Sequence, residues 1–138
     1  MAIRIQGLCA FLEVFDMPTS IRFYRDLLGF EVVQKSHEGE DFSWALLRHG
    51  DAELMLNTAY DDGARPPAPD RARIAHHRDT ALFMGCEDLD SAARYLRTHG
   101  LEVDGPTVQA YGMKQVYFLD PDGYNLCLQW PADVTAGA

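Results

Sequence analysis

The chain has 138 residues, with 21 acidic side chains against 12 basic ones and a formal charge of −9. That length fits one domain, and 47% hydrophobic with 11% aromatic content supports a packed core and excludes a chain that stays disordered. The negative field repels phosphate backbones and anionic bilayers, so neither nucleic acid nor a membrane is expected as a partner; it either attracts a cationic ligand or serves solubility. The N-terminal stretch has no long apolar run with a cleavage site, and no segment reaches membrane-spanning length. Cys9, Cys86 and Cys127 form an odd set with no export signal, which predicts reduced thiols in a cytoplasmic protein.

The first predicted element is a strand over residues 8–15, apolar and partly alternating. Asp16 as cap, Pro18 in the first turn and Ile21, Tyr24 and Leu28 at helical spacing predict a helix over about 18–28, stopped by Gly29. Strands follow over 31–35, 42–48 and 52–58, the last two joined by a turn at His49-Gly50-Asp51. Residues 61–80, with Pro66, Pro67, Pro69 and scattered Arg, read as a surface linker. The order then repeats: a strand over 81–86, a helix over about 89–99 stopped by Gly100, a strand near Glu102, and strands over 115–119 and 125–130 around the turn Asp120-Pro121-Asp122-Gly123.

The repetition is visible residue by residue. Shifted by 72, Val14 and Asp16 fall on Cys86 and Asp88, Phe23 on Tyr95, and Leu54-Met55-Leu56-Asn57 on Leu126-Cys127-Leu128-Gln129. Gly29 matches Gly100 at 71, so the second copy lacks one residue there and regains it later. The fold class is therefore α+β: one domain of two tandem βαβββ modules (about 6–60 and 81–130) whose helix-free faces form a cup. Strand alternation places Cys9, Phe11 and Glu13 in that cup, with Leu8, Ala10, Leu12 and Val14 turned to the helix. Glu53, Met55 and Asn57 share a face, as do Asn125, Cys127 and Gln129. Two modules this small need to associate, within one chain or across a C2 homodimer.

The stretches Val14-Phe15-Asp16-Met17, Phe23-Tyr24-Arg25-Asp26-Leu27-Leu28-Gly29-Phe30 and Asp120-Pro121-Asp122-Gly123-Tyr124, with the repeat, resemble the vicinal oxygen chelate superfamily of glyoxalase I, extradiol dioxygenases and bleomycin-resistance proteins. The resemblance runs from about Gln6 to Trp130 and implies the glyoxalase-like fold more firmly than any one reaction. Metal-dependent members hold a divalent ion with His, Gln and Glu from the first and last strands of each module. The matching positions here are Cys9, Met55, Ala81 and Cys127, none of them His, Gln or Glu. Alanine coordinates nothing, methionine suits soft ions, and two thiols make an incomplete zinc site. No cofactor is therefore expected.

The expected activity is binding of a small aromatic or cationic molecule in a metal-free cup. Besides the strand residues above, Trp44, Tyr60, Tyr111 and Lys114 are candidates for lining it, and Asn57 and Gln129 supply paired amides at repeat-related positions. His77, at the end of the linker, is a further candidate, whereas His37, His49 and His99 have turn or helix-end explanations. The alternative is a lyase, isomerase or dioxygenase of the glyoxalase type with a divalent metal held by Glu13, Glu53 or His77. No Ser-His-Asp spacing and no phosphate-cradling glycine loop is present.

Overall fold

A computed structural model describes residues 2–61 and 63–132. They form eight strands and three helical segments, which divide into two compact units between Ala68 and Pro69.

In the first unit, β1 (Ala10–Val14) runs into α1 (Met17–Ile21), which continues as a wider π-helical segment over Arg22–Leu27. Asp16 caps the helix, its carboxylate accepting from the Thr19 amide and hydroxyl. Gly29, at φ +89°, supplies the left-handed residue that ends it. β2 (Glu31–Lys35), β3 (Trp44–His49) and β4 (Ala52–Thr58) complete a sheet of order β1-β4-β3-β2, with β1 parallel to β4 and the other pairs antiparallel. Leu12, Val14, Ala45, Leu47, Leu54 and Leu56 fill one face and are buried, as are Met17, Ile21 and Tyr24 of the helix. Each such leucine contributes about 1.5–3 kcal/mol by leaving water.

The second unit repeats the plan. β5 (Ala81–Gly85), α3 (Leu89–Thr98), β6 (Asp104–Val108), β7 (Met113–Leu119) and β8 (Asn125–Pro131) give the sheet order β5-β8-β7-β6. The parallel registers are equivalent: Ala10 faces Leu54 as Leu82 faces Leu126, at the 72-residue offset read from sequence. Leu89, Ala93 and Leu96 of α3 are buried with Val116, Phe118 and Leu126 of the sheet. The two βαβββ modules are thus as expected, with local differences.

Residues 8 and 9 lie outside β1, because its parallel ladder with β4 starts at Ala10, and Leu8 is 94% exposed rather than turned to the helix. Phe42 and Ser43 lie outside β3; the Ser36 hydroxyl accepts from the Ser43 and Trp44 amides, beside backbone bonds from Thr58 N–H to the Ser43 carbonyl and from Ser36 N–H to the Trp44 carbonyl. The strand expected near Glu102 begins at Asp104, since Leu101 N–H still closes the end of α3 on the Leu96 carbonyl.

The largest departure concerns 61–80, which read as an open surface linker. Its second half holds α2 (Arg71–His76) and a 3₁₀ turn (His77–Asp79), packed on the turn between β7 and β8. The Arg73 guanidinium meets the buried Asp122 carboxylate at 2.9 Å. The His77 ring stacks on Tyr124 at 3.9 Å, and its Nδ1–H donates to the Asp122 carbonyl at 2.7 Å. A Cβ on Gly123 would stand 2.6 Å from the Ile74 backbone, so this close approach requires glycine. Arg73, expected in a surface linker, and His77, expected as a candidate for the cup, are here the groups that dock the segment.

Candidate functional site

Each sheet has one face under its helix and one open, and the cross-strand registers fix which side chains share the open one. In the first module Phe11, Met55 and Leu46 form one rung across β1, β4 and β3; Glu13, Asn57 and Trp44 form the next. Phe11 is 51% exposed although it sits mid-strand. Glu53 pairs with Arg48 at 3.5 Å on the same face, and Cys9 lies close enough for the Glu53 carboxylate to act on its thiol. Burial first, and that negative charge second, push the Cys9 thiol above its ordinary range, so it is a neutral thiol at pH 7. The Asn57 amide nitrogen donates to the Thr58 carbonyl at 3.1 Å.

In the second module the corresponding rung is Phe83, Cys127 and Tyr117, followed by Gly85, Gln129 and Gln115. Phe83 is 50% exposed and meets the Tyr117 ring edge-on at 6.0 Å. Gln115 is 2% exposed, and its amide is held on both sides: Tyr111 and Tyr117 hydroxyls donate to Oε1, and Nε2 donates to Gln129 Oε1 at 3.0 Å. Cys127 is buried, and desolvation raises its thiol above the ordinary range. The Tyr117 phenol is raised as well, first by desolvation and then by the neighbouring Cys127. Most of this face is an aromatic and amide surface, with the exposed Asp104 carboxylate beside Tyr117 on the edge strand β6. A hollow of about 620 Å³ borders Tyr117, Leu119 and Asn125.

Of the residues singled out from sequence, Cys9, Phe11, Glu13, Trp44, Met55 and Asn57 gather on one open face, and Cys127, Gln129 and Tyr111 on the other. Three stand elsewhere. Lys114 pairs with Trp130, one residue out of phase with Gln115, which turns it to the helix side, where Nζ meets the α3 residue Asp90 at 3.0 Å. His77 is stacked on Tyr124. Tyr60 packs edge-on against Phe15 at 6.1 Å, beside Arg65, which ion-pairs with Asp16, and lines a separate cavity of about 670 Å³ at the strand ends of the first module. Three further histidines have local partners: His37 the Ser36 hydroxyl, His49 edge-on to Phe30, and His99 donating to the Tyr95 carbonyl.

Phe83, Gly85, Gln115 and Tyr117 were not singled out from sequence. The signal was available: Phe11 maps to Phe83 at an offset of 72, and Trp44 and Leu46 map to Gln115 and Tyr117 at 71, the offset that Gly29 and Gly100 already set.

The donor set does not suit a divalent ion that chelates oxygen substrates. Met55 and Cys127 occupy equivalent last-strand positions on the open faces, Ala81 offers no donor, and both thiols are held protonated by burial. Among the described residues no three His, Cys, Asp or Glu side chains come together as a metal site requires.

Two βαβββ modules with open sheet faces define the glyoxalase-like class of proteins. The sequence matches the family described as Glyoxalase/Bleomycin resistance protein/Dioxygenase superfamily over residues 8–128, and the chain belongs to that family. It is 28% identical over 114 residues to the uncharacterised protein YaeR of Escherichia coli K12, covering 80% of this chain and 84% of that one. Its fold is similar to that of TnmS3, an antibiotic binding protein from Streptomyces sp. CB03234, with a TM-score of 0.70, 24% identity and coverage of 95% and 100% of the two chains. It is also similar in fold to a bleomycin resistance determinant encoded on the transposon Tn5, with a TM-score of 0.64, 22% identity and coverage of 94% and 100%. Among the described residues no helix is long and apolar enough to cross a membrane.

Proposed function

We propose that this protein binds a small aromatic or cationic molecule on its open sheet faces without a metal ion. The observation that carries the reading is the equivalent pair of half-exposed phenylalanines, Phe11 and Phe83, each beside a last-strand residue that is not an oxygen-chelate ligand, Met55 or Cys127. Large aromatic side chains left open in the middle of a sheet favour a flat ligand, because stacking recovers the apolar area that the fold leaves in water. The likeness in fold to an antibiotic binding protein and a resistance determinant supports the same reading. The acidic balance of the chain adds an attraction for cationic ligands. A homodimer that covers these faces, in a cytoplasm that keeps the three cysteines reduced, belongs to the same reading.

The experiment is a thermal-shift screen of chelator-treated protein with neutral, cationic and anionic aromatic compounds, run beside Phe11→Ala and Phe83→Ala. A binder at a hundredfold over its Kd adds about 2.7 kcal/mol, and either substitution should reduce that gain. Stabilisation that requires added nickel, zinc, manganese or ferrous iron would instead favour a metal-dependent lyase or dioxygenase.

A further inference from the structure

The polar side chains on the open face of the second module form one directed chain. Two hydroxyls, from Tyr111 and Tyr117, donate to Gln115 Oε1 at 3.1 and 3.2 Å, which fills both lone pairs of that oxygen. Gln115 is buried, so its hydrogen bonds are made within the protein, and its Nε2 passes the same polarity to Gln129 Oε1. Gln129 turns its oxygen to Gln115 and ends the chain in an NH₂ group, and no protein acceptor for that nitrogen is found among the described residues. Opposite Gln129 on β5 stands Gly85, where the sheet carries no side chain. The half-exposed Phe83 ring lies on the same face, and the Trp130 ring comes to 3.5 Å from the place of a Gly85 Cβ.

We propose that this slot selects a neutral, flat aromatic molecule that presents a hydrogen-bond acceptor of the carbonyl type to the Gln129 amide. The inference rests on the binding role proposed above and narrows it. Aromatic ketones, quinones and lactams fit the donor end of the chain. An ammonium group placed against the Gln129 nitrogen meets an N–H donor instead of an acceptor, so this end of the chain favours a carbonyl over a cation even though the protein as a whole is acidic. Gly85 limits the thickness of what can lie there, because one added methyl group occupies the slot while making ordinary contact with Trp130.

The test compares three molecules of nearly one shape: 1-acetylnaphthalene, 1-ethylnaphthalene and 1-(1-naphthyl)ethylamine. Dissociation constants are measured by calorimetry on wild type, Gln129→Glu and Gly85→Ala. One net hydrogen bond makes the acetyl compound bind about five- to tenfold more tightly than the ethyl one in wild type, with the amine weakest. Gln129→Glu keeps an oxygen for Gln115 and replaces the NH₂ by a carboxylate oxygen, so the order inverts and the amine binds best. Gly85→Ala weakens the acetyl and ethyl compounds alike with no loss of melting temperature. Equal affinities for the acetyl and ethyl compounds, unchanged in Gln129→Glu, would overturn the polarity argument and leave aromatic binding standing. Failure of wild type to bind any of the three would overturn the binding role and this inference with it.

Discussion

Replacing Arg73 by methionine tests whether the segment after Ala68 is a structural part of the second module. The Asp122 side chain is 2% exposed and that of Arg73 16%, with 2.9 Å between guanidinium and carboxylate. Removing one partner of a fully buried pair costs about 3–5 kcal/mol, because the remaining charge has lost its compensation. Arg73 keeps some contact with water, and methionine retains much of its apolar stem, so the expected loss is about 2–3 kcal/mol. For a chain of this size that corresponds to roughly 6–12 °C in melting temperature. Urea unfolding gives the free energy, and Arg71→Met, at an exposed position of the same helix, serves as the control at under about 0.5 kcal/mol. Arg73→Met unfolding at the same urea concentration as Arg71→Met would refute the docking of α2 and return residues 70–80 to the status of a surface linker.

Asp16→Ala removes the cap of α1 and the partner of Arg65 and should cost about 1 kcal/mol at pH 7. The Asp16 carboxyl is held below the ordinary carboxylate range, chiefly by the Thr19 hydroxyl and also by Arg65 and the Thr19 amide. A group lowered on folding stabilises above its unfolded value and loses that contribution as pH falls through the folded one. The difference between wild type and Asp16→Ala in urea melts should therefore shrink below about pH 4. Gly105→Ala should be more damaging: φ is +110° there, and a Cβ would stand 2.5 Å from the Gln115 carbonyl oxygen. The expected loss is about 1–3 kcal/mol by thermal unfolding.

The repeated βαβββ plan was legible because its punctuation is local. Gly29 and Gly100 stop the helices, the His49-Gly50-Asp51 turn sets β3 against β4, and β2 and β4 run over the residues expected. The open face was legible wherever alternation alone decides it, as for Phe11 and Glu13 against Leu12 and Val14. It was not legible where a side chain's face depends on a register one residue either way. Lys114 and Gln115 are neighbours on β7, and only the pairing of Lys114 with Trp130 reveals that the lysine turns to α3 and the glutamine to the open face. Gln115 in the run Met113–Leu119 looked like an ordinary polar strand residue, and its buried position comes from the two phenols above it, Tyr111 and Tyr117, which no local pattern announces. His77 and Arg73 carry charge-bearing side chains in a proline-rich stretch, and composition gives no hint that a buried aspartate and a tyrosine ring await them in the β7–β8 turn.

Methionine methyl resonances report directly on the proposed metal-free binding of an aromatic molecule to the open sheet faces. Met55 shares a rung with Phe11 on the open face, whereas Met17 is buried in the first module. In chelator-dialysed protein carrying ¹³C-methyl methionine, titration with a binder from the thermal-shift screen should move the Met55 resonance saturably and leave that of Met17 in place. Movement of neither resonance, or movement of Met55 that appears on adding a divalent metal and not before, would contradict the account.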